Sequence, residues 1–445
     1  MIFLWLLIVV LLIVLLTGRW GIHPFITLIL GSIAMGFIGG LTPSMLVNAI
    51  GSGFGSTLSS IGIVIAAGAM IGEYLDRSGG AVVVANRILS VVGEKYAALS
   101  MSLTGFIVSI PVFCDTGFIV LNSIKEAIAK RTGHSLTALS IALATGLYTT
   151  HVFIPPTPGP IAAAATLEAD LGWVLGLGFV VSIPVMFVGL IWAIKGCARF
   201  ETLAGGNHGG EDRAEPVRPD VTAPAFRMAI SPILVPILLI ALNTIASYPT
   251  YPLGEGTLFT VLTFLGEPII ALLIGVAIAF AMVREWGRDI HAHWMESALK
   301  KAGVIILITG AGGSFGFILR ETELADVVSQ FALLSGLGVL LPYLVAAFLK
   351  TAQGSSTVAI ITAAAITAPL MGALGLDSVI GKALVVLAIG AGSLTISHIN
   401  DSYFWVVAKF SNMDTTTALK THSVATLLMG LTGLVTVQLL AWVLL

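Results

Sequence analysis

The feature that most restricts the fold is a proline-rich stretch, residues 151–160, which separates the apolar runs 136–148 and 174–194. Proline lacks a backbone donor and blocks helix continuation, so the chain must unwind here. Unwound backbone at membrane depth survives only when it is buried in protein or lines a watery cavity. Transporters build substrate sites near the bilayer midplane from such segments. We therefore predict half of a substrate site at this first break, and the other half at a second break, residues 397–402.

The composition indicates an integral membrane protein. Of 445 residues, 57% are hydrophobic and only 10% are charged, whereas soluble domains carry about 25% charged residues. Many apolar segments reach the roughly 17–25 residues that span a bilayer. The first apolar run, residues 1–16, has no basic region or clear cleavage site, so we expect a transmembrane helix there and not a signal peptide. The net charge of −2 gives no reason to expect a nucleic-acid partner.

Two pairs of short apolar pieces predict re-entrant hairpins. In the first hairpin, pieces 97–110 and 118–131 flank a loop at 111–117. In the second hairpin, pieces 336–349 and 358–373 flank a loop at 351–357. A helix of about 14 residues is about 21 Å long, which is too short to cross a bilayer. We therefore expect the two hairpin tips to lie within the membrane.

A long polar segment, residues 200–226, divides the chain into two halves. The N-terminal repeat is residues 1–199 and the C-terminal repeat is residues 227–445, with a flexible linker between them. Each half has apolar spans, then a hairpin, then a broken helix and a final span. The predicted spans include residues 58–75 in the first half and residues 258–283 and 302–319 in the second. Two glycine pairs at the same spacing, Gly68/Gly72 and Gly312/Gly316, add a faint similarity between the halves.

The distribution of Lys and Arg predicts how the halves are oriented. Excess positive charge marks cytoplasmic loops, and basic residues cluster around the linker but are absent from residues 247–256. This places the linker in the cytoplasm and both termini outside. The first hairpin then enters from the cytoplasm and the second from outside. We predict an all-α polytopic fold of two inverted repeats, the arrangement that secondary transporters use for alternating access.

Four stretches resemble the gluconate permease (GntP) family of the ion transporter superfamily. They are THVFIPPTPGP at 150–160, GAGGSF at 310–315, GSSTVA at 354–359 and SHINDSYFW at 397–405. The resemblance implies import of a sugar acid such as gluconate with a proton, without a cofactor, in a bacterial inner membrane. It also implies a transport domain that slides against a homodimeric scaffold. Asp115, Thr157, Lys350 and Gln353 depart from the family's usual residues, which leaves the exact substrate open.

Asp115 and Asp401 are the predicted ion-coupling residues. Ionisable groups within a membrane are costly and are usually functional. Asp115, at the first hairpin tip, could carry a proton or be a fixed partner of a buried Lys or His. Asp401 could hold a proton or sodium, and it could also cap the helix that resumes after the second break. Lys350, with Gln353 beside it, could neutralise the substrate carboxylate, pair with Asp115 or Asp401, or extend to the interface.

The predicted substrate-binding residues lie at the two breaks and the second hairpin tip. They are His151, Thr157, Gly159, Gly354, Ser355, Ser356, Thr357, His398, Asn400 and Ser402. The N-terminus of a half-helix near residues 354–357 would attract an anion, although plain helix capping explains the same residues. The two histidines could titrate against a carboxylate, or could remain neutral and bond a freed carbonyl.

Three functions can be compared with these features of the sequence. The first is proton-coupled import of a small anionic substrate, and the second is a sodium-coupled transporter of another small carboxylate or hydroxy or amino acid. The third, an intramembrane enzyme, is disfavoured because no His-Glu-x-x-His motif occurs. We expect no metal site and no cofactor. A channel fits less well than a transporter, because two corresponding breaks suit alternating access.

Overall fold

The computed structural model describes residues 5, 8–9, 11–13, 15–16, 20–200, 223–247, 256–283, 288–321, 337–399 and 401–445. These residues form helices and contain no strand. Six of the described helices are long and apolar enough to cross a membrane, or up to eight if each of two bent pairs is one span. The all-α, polytopic part of the prediction is confirmed. Much of the predicted first helix, and residues 201–222 of the predicted linker, lie outside the described residues.

In the N-terminal half the helices follow the predicted order of spans, hairpin, broken helix and final span. They are α1 (Pro24–Ile38), α2 (Pro43–Arg77), α3 (Gly80–Val92), a 3-10 turn (Glu94–Tyr96), α4 (Ala97–Val108), α5 (Cys114–Val120), α6 (Asn122–Thr132), α7 (Leu136–Phe153), α8 (Pro158–Thr166) and α9 (Leu171–Trp192), which ends in a π turn (Ala193–Cys197). The first hairpin is α4 with α5 and α6, and the first broken helix is α7 with α8.

In the C-terminal half the same order returns. The helices are α10 (Phe226–Ala246), α11 (Thr257–Leu265), α12 (Pro268–Met282), α13 (Arg288–Glu321), α14 (Leu340–Gln353), α15 (Ser356–Thr367), α16 (Val379–Leu394), α17 (Ser402–Phe410) and α18 (Val424–Leu444). Short turns lie at Ala368–Leu370, Met371–Leu374 and Thr415–Ala418, and a π turn at Leu419–Ser423 precedes α18. The second hairpin is α14 with α15, and the second broken helix is α16 with α17. The division into two repeats and the opposite orientation of the halves stay predictions.

Local sequence explains where these helices begin. Proline occupies the first position of α1, α2, α8 and α12, where its missing N–H removes no helical hydrogen bond. Ser135, Asp170 and Ser378 cap α7, α9 and α16 by accepting a hydrogen bond from a first-turn amide. The break between α7 and α8 follows because two further prolines at 155 and 156 cannot continue α7.

Three predicted spans differ from the observed helices. The spans predicted at 58–75 and 302–319 are the apolar parts of α2 and α13, which are 35 and 34 residues long. Hydropathy identifies the part of a helix that lies in lipid, and these helices continue through more polar residues. The single span predicted at 258–283 is instead α11 and α12, which meet at a bend of 67°. Pro268 begins α12 and prevents one continuous helix.

Helix α7 forms the centre of the described structure. All 18 of its residues are buried, so protein and not lipid surrounds it. Its backbone approaches α4 closely at two glycines. A Cβ on Gly105 would lie 2.6 Å from the Leu143 carbonyl oxygen, and one on Gly146 would overlap the Ser102 carbonyl oxygen. The broken helix is therefore held in the protein interior, which is the condition under which irregular backbone is tolerated at membrane depth.

Candidate functional site

The two breaks and the two hairpin tips meet beside the end of α7. The Oγ1 of Thr357, in α15, lies 3.5 Å from Nε2 of His151. The ring of Phe113, just before α5, lies 6.0 Å from the His151 ring. The Nζ of Lys350, in α14, lies 5.6 Å from the centre of the Tyr148 ring. Segments that are far apart in sequence thus surround one turn of α7.

Lys350 and Asp401 form a buried ion pair within this cluster. The Nζ of Lys350 lies 2.5 Å from Oδ2 of Asp401, and the two side chains are 0% and 4% exposed. Lys350 also donates to the carbonyl oxygen of Gly354, and Ser397 Oγ donates to the same Asp401 oxygen. The other carboxylate oxygen accepts from the amide of Tyr403 at 3.0 Å. Asp401 therefore both pairs with Lys350 and caps α17.

His422 extends this cluster and was not among the predicted site residues. Its Nε2 lies 3.2 Å from Ser397 Oγ, so an imidazole, a hydroxyl and the Asp401 carboxylate form one hydrogen-bonded chain. The main chain of Ser397 is held by Thr426, which accepts from its amide at 2.9 Å, and by Ser423, which donates to its carbonyl at 2.5 Å. The signal that the sequence carries is a titratable side chain at the start of an apolar span.

Two buried tyrosines also belong to the site and were missed. The rings of Tyr148 and Tyr403 lie 5.1 Å apart, and the ring of His422 lies 5.5 Å from that of Tyr403. The hydroxyl of Tyr403 donates to the Ala144 carbonyl at 2.9 Å. These rings hold α17 against α7, and they carry polar atoms into an apolar interior. The sequence does not distinguish these two tyrosines from aromatic residues that only pack between helices.

Asp115 and His151 present buried polar atoms without a partner. Asp115 lies in the first turn of α5. Among the described residues, neither its Oδ1 nor Nδ1 of His151 has a hydrogen-bond partner. Asp115 is close enough to Asp401 and Lys350 to interact with both electrostatically. Buried polar atoms are nearly always bonded, so these two atoms mark a place where another polar group belongs.

The half-helix termini show helix capping together with close packing. Ser355 Oγ accepts from the Val358 amide at 3.3 Å, as capping predicts. Gly354 ends α14 with a φ of 84°, a conformation that glycine adopts without strain. Thr157 Oγ1 donates to the Ile154 carbonyl at 2.6 Å. A Cβ on Gly159 would lie 2.9 Å from Cδ1 of Ile360, so α8 and α15 pack directly against each other.

The remaining predicted residues lie at the edge of the cluster or outside it. His398 is partly buried, and its Nε2 lies 3.1 Å from the Thr351 carbonyl, so it contacts the main chain of the second hairpin. Ser356 is buried in the first turn of α15. Ser402 is exposed at the start of α17. Gln353 is the last residue of α14, and Asn400 lies outside the described residues.

A second buried lysine reaches the same half-helix from the first hairpin. The Nζ of Lys125, in α6, donates to the Phe410 carbonyl at 2.9 Å and to Ser411 Oγ at 3.2 Å. It also lies 4.8 Å from the centre of the Phe118 ring. Lys125 is fully buried. It therefore satisfies acceptors at the C-terminal end of α17, where a positive charge is favoured by the helix dipole.

The two glycine pairs lie where long helices approach the first break, the first hairpin loop and the second hairpin. A Cβ on Gly68 would lie 2.9 Å from the Pro156 carbonyl oxygen, and one on Gly72 would overlap the Pro111 carbonyl oxygen. A Cβ on Gly312 would lie 3.0 Å from Cγ2 of Ile361. Helix α2 thus contacts the first break and first hairpin loop, and α13 contacts the second hairpin. Across the described ranges, no three His, Cys, Asp or Glu side chains are grouped to hold a metal ion.

The sequence and the fold both match known permeases. Residues 1–443 match the family described as GntP family permease. The chain is 34% identical over 445 residues to a gluconate permease of Pseudomonas aeruginosa, covering 97% of this chain and 96% of that protein. It is 31% identical over 431 residues to the Gnt-II system L-idonate transporter of Escherichia coli, covering 96% and 95%. The fold resembles the crystal structure of the YdaH transporter of Alcanivorax borkumensis, with a TM-score of 0.66, 15% identity, and coverage of 95% and 98%.

Proposed function

Because the chain belongs to the GntP family of permeases, we propose that it imports a sugar acid such as gluconate together with protons. It is a multi-pass protein of the inner membrane and a permease, not an enzyme. Relatives named for gluconate and for L-idonate support a hydroxylated carboxylate as the substrate class. The observation that carries the proposal is the convergence of both breaks and both hairpin tips around unpartnered atoms of Asp115 and His151.

The proposed substrate site lies between α7, α8 and α15. The first-turn amides of a helix have no intrahelical partner and attract an anion. At α15 the hydroxyl of Ser355 satisfies the Val358 amide, which leaves the amides of Ser356 and Thr357 to face a carboxylate. His151, beside Thr357, would bond a substrate hydroxyl through its free Nδ1. Thr157 and Gly159 would line the opposite side, with His398, Asn400 and Ser402 at the second break.

The Lys350–Asp401 pair supports protons over sodium as the coupling ion. A sodium ion in a protein is held by oxygen ligands such as carboxylates and main-chain carbonyls. At this site the Lys350 ammonium already contacts such a set, Oδ2 of Asp401 and the Gly354 carbonyl. The ammonium thus occupies the place that a sodium ion would need. Asp115, which has one oxygen without a partner, is then the proposed proton carrier.

The proposed transport cycle is alternating access by a sliding transport domain in a homodimer. Two inverted repeats, joined by a cytoplasmic linker at residues 200–226 with both termini outside, would supply the inward-facing and outward-facing states. The buried α7 and the two hairpins would form the moving part, since the proposed substrate site lies among them. The alternative is the same architecture coupled to sodium, with Asp401 and the hydroxyls of the second hairpin as ligands.

Uptake into proteoliposomes tests the proposal. Labelled gluconate is offered to the purified protein under an inward proton gradient and, separately, under an inward sodium gradient at fixed pH. We expect accumulation with protons alone and competition by unlabelled L-idonate. Accumulation that requires sodium would replace the proton by the sodium alternative. No gluconate uptake under either gradient, from protein that remains folded and monodisperse, would reject the substrate.

A further inference from the structure

A groove lies on the surface of the described structure at the C-terminal end of α9. None of its lining residues belongs to the proposed substrate site. Its volume is about 420 Å³, and α9, its π turn and α18 line it. The lining residues are Val188, Ile191, Trp192, Lys195, Gly196, Arg199 and Leu428. Most of the wall is apolar, and the two polar members are both cations. The groove therefore combines one apolar part with one positively charged part.

The apolar part continues a stripe that faces outwards along α9. The stripe consists of Val180, Ile183, Phe187, Ile191 and Ile194, which are 45–51% exposed. A half-exposed apolar stripe on a membrane-spanning helix lies against acyl chains, because no water is present in the hydrocarbon region. Since Ile191 belongs to both the stripe and the groove, an acyl chain that follows α9 enters the groove directly.

The indole of Trp192 gives the groove a fixed wall. Its Nε1 donates to the Thr421 carbonyl at 3.0 Å, which ties the last residue of α9 to the π turn before α18. Gly196 lies against the same ring, because a Cβ there would be 2.6 Å from Cε3 of Trp192. The wall is held by one hydrogen bond and by a glycine that leaves room for the ring, so the groove is built into the fold.

The charged part carries two cations that no described acidic group neutralises. Lys195 and Arg199 are exposed, and among the described residues neither forms an ion pair. The guanidinium of Arg199 lies 5.2 Å from the centre of the Phe200 ring, a position that keeps it near the apolar surface. Basic pockets between transmembrane helices at the membrane surface attract anionic lipid headgroups.

We propose that this groove binds an anionic phospholipid. Its phosphate would lie between Lys195 and Arg199, and one acyl chain would lie on Ile191, Trp192 and Leu428. The apolar wall favours a lipid over free phosphate, because phosphate alone would leave that wall uncovered. The two cations favour an anionic lipid over a zwitterionic one. A bound lipid would bridge α9 and α18.

Native mass spectrometry of the full-length protein in detergent tests whether the groove binds an anionic phospholipid. Phosphatidylglycerol and phosphatidylcholine with the same acyl chains are titrated against wild type, Lys195→Gln/Arg199→Gln and the matched control Lys95→Gln/Lys130→Gln. The control removes two exposed cations elsewhere. We expect wild type and the control to prefer phosphatidylglycerol, and the groove variant to bind it roughly 30-fold more weakly, from two lost charges. Binding of phosphatidylcholine should be the same in all three.

Three outcomes would overturn the proposal. One is phosphatidylglycerol binding by the groove variant that equals wild type, with both proteins monodisperse by size-exclusion chromatography. Another is equal affinity of wild type for the two lipids. The third is displacement of phosphatidylglycerol by glycerol phosphate at equal concentration, which would identify a site for a soluble phosphate. None of these measurements depends on sugar-acid transport, so the lipid proposal can fail while the proposed function stands.

Discussion

Lys350 and Asp401 are 51 positions apart in the sequence, yet their charged groups touch between the second hairpin tip and the first turn of α17. Removing one partner of a buried pair leaves the other charge uncompensated, which typically costs about 3–5 kcal/mol. This pair is therefore the most sensitive point of the site.

Lys350→Met should lower the free energy of unfolding by about 3–5 kcal/mol and abolish uptake, because Asp401 remains buried without its cation. The double variant Lys350→Met/Asp401→Asn should recover part of the stability but no uptake. Thermal unfolding in detergent and proteoliposome uptake measure both effects. Lys300→Met, which removes an exposed partner of Glu296, should change neither. If Lys350→Met were as stable as wild type, a buried ion pair between Lys350 and Asp401 would be excluded.

Asp115→Asn should separate transport from energy coupling. The amide keeps the size of the side chain but cannot carry a proton, so a proton gradient should no longer drive accumulation, while exchange of labelled for unlabelled gluconate should persist. Both are measured in the same proteoliposomes. Asp170→Asn is the control, because Asn also caps helices and Asp170 caps α9 at an exposed position. Proton-driven accumulation by Asp115→Asn would assign the coupling to another group.

Ser397→Ala should interrupt the chain from His422 to Asp401. It removes the hydroxyl that joins them, so His422 Nε2 loses its partner and the cost is about 1–3 kcal/mol. The rate of uptake should fall as well. Ser140→Ala removes another buried hydroxyl, whose bond among the described residues is to the Leu136 carbonyl of its own helix, and should have the smaller effect on both. Equal effects of the two changes would mean that the chain has no special role.

Gly72→Ala should disturb the contact between α2 and the first hairpin loop. Its Cβ would overlap the Pro111 carbonyl oxygen, and a main-chain atom cannot move aside alone. Overpacking of this kind costs about 1–3 kcal/mol, and uptake should fall with it. Gly55→Ala, in the same helix with nothing within 4 Å of the new Cβ, should be neutral or stabilising. A variant Gly72→Ala as stable as Gly55→Ala would show that this contact is loose.

The irregular segments could be predicted from sequence because their signals are local. Prolines at the first break and short apolar pieces around the hairpin loops each act within a few residues. The partners of these segments could not be predicted in the same way. The sequence is compatible with an ion pair between Lys350 and either Asp115 or Asp401, since both are carboxylates in apolar surroundings. Only the fold brings Asp401 within 2.5 Å of the ammonium.

The missed residues share a physical reason. His422 reaches Ser397 through a π turn, which shifts side chains relative to a regular helix and leaves no mark in hydropathy. Tyr403 bonds a carbonyl 259 positions away, at Ala144. Contacts of this kind depend on which helices are neighbours, and that follows from packing over the whole chain.

Helix α17 has a buried lysine from a different hairpin at each of its ends. Lys350 of the second hairpin holds Asp401 at its start, and Lys125 of the first hairpin holds the Phe410 carbonyl at its end. Helix α17 thus connects the two hairpins through one buried lysine from each of them. If one hairpin moves, the other must move with it, because otherwise the buried ammonium group of Lys350 or Lys125 loses its partner on α17. In the proposed sliding cycle, the two hairpins would therefore move together as one rigid unit.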